Sequence, residues 1–265
     1  MRFVRFSCKN KTGYGILKED GNVFEIKGDP FSFFADGSQI QFTGRYFSLE
    51  ELKLLAPCLP SKIVCLGLNY GPHARETNQP IPSNPIIFLK PPTAVIGPGD
   101  SIILPHNYHR VDYEGELAIV IGKKAHFVPR EKAHDYVLGY TCFNDVTERQ
   151  FQKEDGQWTR AKSFDTFAPI GPWIENEVDP DNLKLETRLN GLTCQSESTG
   201  ELIFDTKELI SFISEIMTLL PGDVISTGTP AGIGPMKPGD TVEVIIEKIG
   251  ILQNRVVAHD SRQSS

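Results

Sequence analysis

Glu114 and Glu116 stand two residues apart at the head of the apolar run Leu117-Ala118-Ile119-Val120-Ile121. Such a β-branched run reads as a buried strand. Side chains at i and i+2 of a strand leave the same face, so both carboxylates point one way. Two like charges at the edge of an apolar core repel and are poorly solvated, and one must be neutralised. Protonation, a cationic side chain or a divalent metal would each do this. The plainer alternative is an acidic mouth on an exposed strand. Asp112 shares the same strand parity and competes for the role.

A metal would need a further oxygen ligand. The run Val137-Leu138-Gly139-Tyr140-Thr141-Cys142-Phe143 predicts a second buried strand that delivers Asn144-Asp145 to its C-terminal end. Asp145 fits either a third ligand or a helix cap. A set of Glu114, Glu116 and Asp145 would be all oxygen, which suits Mg²⁺ or Mn²⁺, with Ca²⁺ also admissible, over metals that prefer nitrogen and sulfur. A second pairing lies upstream: in a helix entered at Pro72, His73 and Glu76 are neighbours three residues apart. The polar, proline-rich segment from Thr77 to Pro85 would hang that helix on a loop able to act as a lid. Taken alone, the plainer reading prevails: a surface helix with an incidental His/Glu pair.

Strands must position these groups. Pro98-Gly99-Asp100, Pro221-Gly222-Asp223 and Pro238-Gly239-Asp240 each precede a β-branched run, and Pro-Gly suits the centre of a type II turn. They predict a sheet-rich unit with many short reversals instead of alternating βαβ units. Residues 62–67 read as another short buried strand. Helices are few: Thr147 to Gln150 fits a capping box opening a short one, and Asp205 to Leu220 carries Leu209, Ile210, Ile213, Ile216, Met217 and Leu220 at a 3.6 period. Residues 1–58 predict a small β-rich unit of their own. There Asp20-Gly21 turns a hairpin, Ser48 and Glu51 form a capping box, and Pro57 and Pro60 mark the boundary with residues 59–265. The polar tail after Val257 reads as disordered.

The chain has 265 residues, 39% hydrophobic and 23% charged, ordinary values for a globular protein. A net charge of −7 without a basic cluster argues against nucleic acid and anionic membranes. No apolar run reaches the roughly 18–20 residues of a membrane span, and no signal-peptide core is apparent, so a cytoplasmic protein is expected. Five scattered cysteines without a CxxC pair read as reduced thiols, with Cys65 and Cys142 inside apolar strands. His106 and His109 read as surface histidines in preference to zinc ligands.

Five stretches together resemble the fumarylacetoacetate hydrolase family. They are Asn69-Tyr70-Gly71-Pro72-His73, the Lys90 to Asp100 run, Asp112 to Ala118, Ala161-Lys162-Ser163-Phe164-Asp165, and Thr227 to Gly234. Their order and spacing match over residues 60–257, closest to bacterial 2-hydroxyhepta-2,4-diene-1,7-dioate isomerase and acylpyruvase-like members. The first 58 residues lie outside the likeness. It implies a mixed β-rich α+β fold, with mixed sheets in a β-roll, few helices, a small N-terminal β-rich domain, and a homodimer. By the same resemblance, Glu114, Glu116 and Asp145 bind Mg²⁺ or Mn²⁺. His73 and Glu76 form the lid dyad that activates water in hydrolytic members, and Lys162 is the family lysine. Gln152, Gly228 and Thr229 would meet a small anionic 2-oxo acid.

The implied activity is a metal-dependent hydrolase or isomerase acting on small 2-oxo or 2,4-dioxo carboxylates through a stabilised enolate. In such a site Lys162 would add positive charge or move a proton, and Thr229 would offer a hydroxyl. Oxaloacetate decarboxylation or tautomerisation is the alternative, and a non-catalytic binding protein retaining the fold is the alternative of another class. Arg75, Tyr113, Lys123, Arg149 and Arg160 are further candidates for contact with substrate anions.

Overall fold

A computed structural model describes residues 1–259. The polar tail therefore lies almost wholly outside the described residues, apart from Ala258, which ends a strand, and His259. The molecule is built on a mixed sheet of twelve strands. Ten of them run in the order Phe42–Ser48, Asn22–Ile26, Lys11–Leu17, Arg2–Cys8, Ala168–Glu175, Val137–Asn144, Gly115–Ile121, Val224–Ser226, Ile63–Gly67 and Ile86–Lys90. A five-stranded sheet packs against its centre, and a three-stranded sheet gathers Val111–Tyr113, Thr147–Glu148 and Gly234–Pro235. Among the described residues, α-helix is confined to five segments of 4 to 11 residues. The mixed-sheet, helix-poor architecture expected from the sequence is the one observed.

The strand Gly115–Ile121 is central because it is apolar on both faces. Leu117, Ile119 and Ile121 pack with Leu185, Val244, Ile246 and Leu252 of the five-stranded sheet and with Leu209, Ile210 and Ile213 of the helix Thr206–Ile216. Ala118 and Val120 face the opposite way, into a second core with Ile63, Cys65, Phe143, Ile170 and Val224. Each fully buried leucine or isoleucine contributes about 1.5–3 kcal/mol. A strand sandwiched in this way cannot slip its register without turning one apolar face against the wrong layer. The pair it forms with Val137–Asn144 places Gly115 opposite Asn144, which brings Glu114 and Asp145 side by side.

The three Pro-Gly-Asp turns are alike in detail. Gly99, Gly222 and Gly239 all have positive φ, at 77°, 87° and 99°. In each, the Asp N–H donates to the carbonyl three residues back, and the Asp carboxylate accepts the N–H of that same residue at 2.7–3.0 Å. The Asp20-Gly21 hairpin joins Lys11–Leu17 to Asn22–Ile26 as expected. Through Arg2–Cys8 this N-terminal meander joins the large sheet directly, with Arg2 opposite Glu175 and Phe3 opposite Ile174.

Some sequence expectations need correction. The strand carrying the glutamates is interrupted at Glu114, which lies between Val111–Tyr113 and Gly115–Ile121. The helix after Asp205 ends at Ile216, where Met217 is already extended (φ −148°, ψ 148°), and Ile216 and Leu220 are exposed instead of continuing the apolar stripe. The short helix Arg149–Asp155 is capped by Glu148, whose carboxylate accepts the Phe151 N–H at 2.6 Å, instead of by Thr147. Thr147 turns its hydroxyl to the Asp145 carbonyl.

Candidate active site

One cavity of about 370 Å³ opens beside the ends of these central strands. Glu114 and Glu116 form part of its lining, and ligand atoms of Glu114, Glu116 and Asp145 all lie within 4.8 Å of one another, every one of the three residues buried. Backbone and side-chain bonds fix the cluster. The Asp145 N–H donates to the Glu114 carbonyl at 2.9 Å, and the Glu114 N–H donates to Asn144 Oδ1 at 3.0 Å.

Cations answer the like-charge problem. Lys162 Nζ bridges Glu114 Oε2 at 2.8 Å and Asp145 Oδ2 at 2.6 Å. Lys90, itself fully buried, holds Asp145 Oδ1 at 2.5 Å and the Val146 carbonyl at 3.0 Å. Arg149 pairs with Glu114 and, at 2.9 Å, with Asp112. Burial pushes the Glu114 carboxyl up, but Arg149 and Lys162 outweigh it and hold the group well below the ordinary carboxylate range. Glu116 goes the other way: burial, Asp145 and Glu114 raise its value far above normal. Ser226 Oγ and the Gly228 N–H (2.9 Å) both bind its Oε2, and Oε1 receives no hydrogen bond. For Lys162, burial disfavours the charge, yet Asp145 and Glu114 leave its value raised. Lys90 is lowered, because burial outweighs Asp145.

A divalent cation fits this donor set. Three clustered carboxylates supply only oxygen, and one of them is buried with an oxygen that no protein donor satisfies. Asp112 is excluded from the cluster because Arg110 and Arg149 take both its oxygens.

His73 also lines the cavity, on the helix Gly71–Glu76, and its Nδ1 meets Glu76 Oε2 at 3.0 Å. Glu76 Oε1 accepts the Gly232 N–H at 3.0 Å, so the helix is tied to the loop that follows Thr229. Beneath the helix entry, Asn69 clamps the Thr227 and Phe204 carbonyls at 2.8 and 3.0 Å and accepts the Phe204 N–H. Gly228, with φ 98°, passes so close to Asn69 that a Cβ there would lie 2.7 Å from the Asn69 Cβ. Gln152 lines the cavity and accepts from Arg149 at 3.0 Å. Thr229 lines it too, but its hydroxyl proton goes to the Gly115 carbonyl at 2.9 Å, and its Oγ1 accepts from Gln195 Nε2 at 2.8 Å. The free hydroxyl donor expected of Thr229 is therefore already committed.

Of the five extra candidates for anion contact, Arg149 alone lines this cavity. Tyr113 donates to the Gly232 carbonyl, Lys123 sits over the Tyr136 ring, and Arg160 pairs with Asp155. His109 is half-exposed and packs on Phe151. Cys65 and Cys142 are buried as small hydrophobes, and burial raises both thiols, that of Cys142 to about 12. Sequence reasoning missed Lys90 as a member of the site. A lysine ending the otherwise apolar strand Ile86–Lys90 was the available signal.

With this geometry in view, comparison with known proteins gives the chain its family. The model described as fumarylacetoacetate (FAA) hydrolase C-terminal matches residues 62–257, and one described as Rv2993c-like, N-terminal matches residues 1–57. The chain belongs to the fumarylacetoacetate hydrolase family. A mitochondrial oxaloacetate tautomerase of Bos taurus is 44% identical over 221 residues, 78% of this chain and 70% of that protein. The structure of a 2-hydroxyhepta-2,4-diene-1,7-dioate isomerase from Mycobacterium marinum superposes with a TM-score of 0.89 at 46% identity, covering 98% of this chain and all of the other. A maleylpyruvate hydrolase from Sphingobium sp. SYK-6, solved with manganese(II) and pyruvate, gives 0.82 at 30% identity over the same shares. No helix among the described residues is long and apolar enough to cross a membrane.

Proposed function

We propose that this chain is a divalent-metal-dependent enzyme acting on small 2-oxo or 2,4-dioxo carboxylates, of the dienedioate isomerase or acylpyruvate hydrolase type. The observation that carries the reading is the joining of the buried Glu114, Glu116 and Asp145 cluster to one cavity that also holds Lys162 and His73. A Mg²⁺ or Mn²⁺ ion held by the three carboxylates would supply Lewis-acid stabilisation for charge developing on a 2-oxo group. The manganese and pyruvate bound to the maleylpyruvate hydrolase support that choice of ion and ligand class.

The chain's own groups divide the remaining work. Lys162 uses two of its three N–H bonds on Glu114 and Asp145, which leaves one for a substrate oxygen in the cavity. Lys90 also uses two, but it lies outside the cavity lining and acts as fixed countercharge for Asp145. With Glu76 engaging Nδ1, His73 keeps Nε2 as the basic nitrogen, placed to take a proton from water or from a substrate C–H. The strapped helix Gly71–Glu76 helps to exclude bulk water from the cavity. The relative from Bos taurus keeps oxaloacetate tautomerisation as the second reading.

A substrate panel of acetylpyruvate, oxaloacetate and 2-hydroxyhepta-2,4-diene-1,7-dioate with Mg²⁺ or Mn²⁺ tests the proposal. Turnover should be lost, together with metal binding, in Glu114→Ala. Activity that survives without metal binding would refute it. The proposal includes a cytoplasmic homodimer, for which light scattering of the purified chain is the check on assembly.

A further inference from the structure

Beyond the carboxylate cluster, the cavity has a wall and a mouth of different character. Leu66, Leu68, Phe88 and Trp158, buried or half-buried, supply apolar lining, with Ile86 more exposed. Trp158 meets Phe88 edge-on at 5.2 Å, and the Phe88 ring lies under the Lys162 ammonium at 4.8 Å. Gly67 makes room for this wall, because a Cβ there would stand 2.8 Å from the Trp158 indole. The mouth, where the lining is most exposed, is polar again, with Gln79 and Lys153.

Lys153 lies four residues after Arg149 and one after Gln152 on the helix Arg149–Asp155, and all three line the cavity. Arg149 is consumed by Asp112 and Glu114. Lys153 has no acidic partner among the described residues, although Glu154 and Asp155 follow it directly. Those two are taken by others: Gln150 donates to Glu154 at 2.6 Å, and Arg160 holds Asp155 at 2.5 Å. The Gln79 side chain likewise makes no hydrogen bond within the described protein, while its backbone N–H caps the lid helix at the Ala74 carbonyl. An ammonium and an amide thus stand unpaired at the exposed rim of a cavity whose buried end carries Glu114 and Glu116 and whose lining between is rich in apolar side chains.

We infer that Lys153 is a specificity-determining residue of this site, receiving with Gln79 the second carboxylate of a dianionic 2-oxo acid whose two ends are separated by a hydrocarbon spacer lying on Phe88 and Trp158. The inference rests on the proposed function, since it assumes that the 2-oxo acid end sits at the Glu114, Glu116 and Asp145 cluster. It separates ligands by length as well as charge. A compact dianion has no spacer to lay on the wall, and a long monoanion has nothing to offer the mouth.

Calorimetric titration of the Mn²⁺-loaded protein with three non-reacting probes tests it: oxalate, 2-oxoheptanoate and 2-oxoheptanedioate. The wild type should bind the heptanedioate about 5- to 10-fold more tightly than the heptanoate, the scale of a charge-assisted contact at a partly exposed rim. Lys153→Met should bring the two within about twofold, and Lys153→Glu should reverse the order, both with oxalate affinity unchanged. No preference in the wild type, or one that survives in Lys153→Met, would overturn the inference while oxalate binding leaves the metal-site reading intact. Failure of oxalate to bind the Mn²⁺-loaded wild type would overturn that reading, and this inference with it.

Discussion

Replacing Lys90 by methionine keeps the length of the side chain and removes its charge. In the structure this lysine, the one buried residue of the strand Ile86–Lys90, holds Asp145 Oδ1 at 2.5 Å. Breaking a buried ion pair by deleting one partner costs about 3–5 kcal/mol, because the other charge is left uncompensated. Lys162 still reaches Asp145 Oδ2 at 2.6 Å, so the lower end applies. A loss of about 3 kcal/mol corresponds to roughly 6–12 °C in Tm for a protein of this size.

The charge pattern makes the deficit conditional on metal. Asp112, Glu114 and Asp145 are paired with Arg110, Arg149, Lys90 and Lys162, whereas Glu116 has no cation partner among the described residues. Removing Lys90 leaves Asp145 with Lys162 as its single cation, and a divalent ion among the three ligands would replace the missing charge. Binding at 100 times Kd stabilises any folded protein by about 2.7 kcal/mol, and the more acidic variant site should gain more than the wild type. Thermal unfolding in EDTA and in excess MnCl₂ reads both effects. The variant should show the larger metal-induced rise in Tm. Equal rises in the two proteins, or an undiminished Tm in EDTA, would refute the role of Lys90 as countercharge.

Other consequences are open to simple measurement. Glu76→Ala releases both His73 Nδ1 and the Gly232 N–H, and should lower kcat about 10²-fold, at the low end of the range for general acid–base groups, with Mn²⁺ affinity unchanged; an equal loss of metal binding would contradict the separation of lid from floor. Gly67→Ala forces the Trp158 indole away from a Cβ 2.8 Å distant, which should cost about 1–3 kcal/mol in urea unfolding and shift tryptophan emission. Unaltered emission would show that the wall is not packed as described. Hydrogen bonds from Thr193, Arg188 and Lys184 hold the Glu186 carboxyl down at about 2, so its contribution to stability is complete above the ordinary glutamate value and lost as pH falls towards 2. Glu186→Gln should accordingly flatten the acid limb of the stability curve below about pH 4.3, and an unchanged limb would argue against it. Native protein should expose Cys8 and Cys194 to a thiol reagent while Cys58, Cys65 and Cys142 react only on unfolding.

Strand parity makes the two glutamates legible in the sequence itself, because a period of two leaves little freedom for side-chain direction. The Pro-Gly-Asp turns are equally readable, since Gly99, Gly222 and Gly239 need a positive φ that the sequence advertises. Long-range pairing is not. Nothing local says that Lys90 will meet Asp145, 55 residues further on, or that Arg149 will be spent on Asp112 and Glu114 in place of a ligand. Parity also cannot choose between Asp112 and Glu114, and Arg110 makes the choice through a contact two residues away. Helix ends go astray where tertiary contacts outweigh periodicity. Beyond Ile216 the chain turns to pair Leu219 with Ala125, and the apolar residues that would extend the stripe no longer share a face.

The backbone clasp between Glu114 and Asp145 has a bearing on how such a scaffold diversifies. Because main-chain groups and Asn144 set the spacing of these two residues, the bite of the floor is inherited with the sheet and does not depend on the identity of the side chains around the rim. Substitutions at the mouth, the aromatic wall or the strapped helix can alter what enters, how it lies and which proton moves, without retuning the grip below. A lineage built this way can exchange one reaction for another by editing a handful of peripheral positions, while the costly arrangement of buried charge is carried forward unchanged.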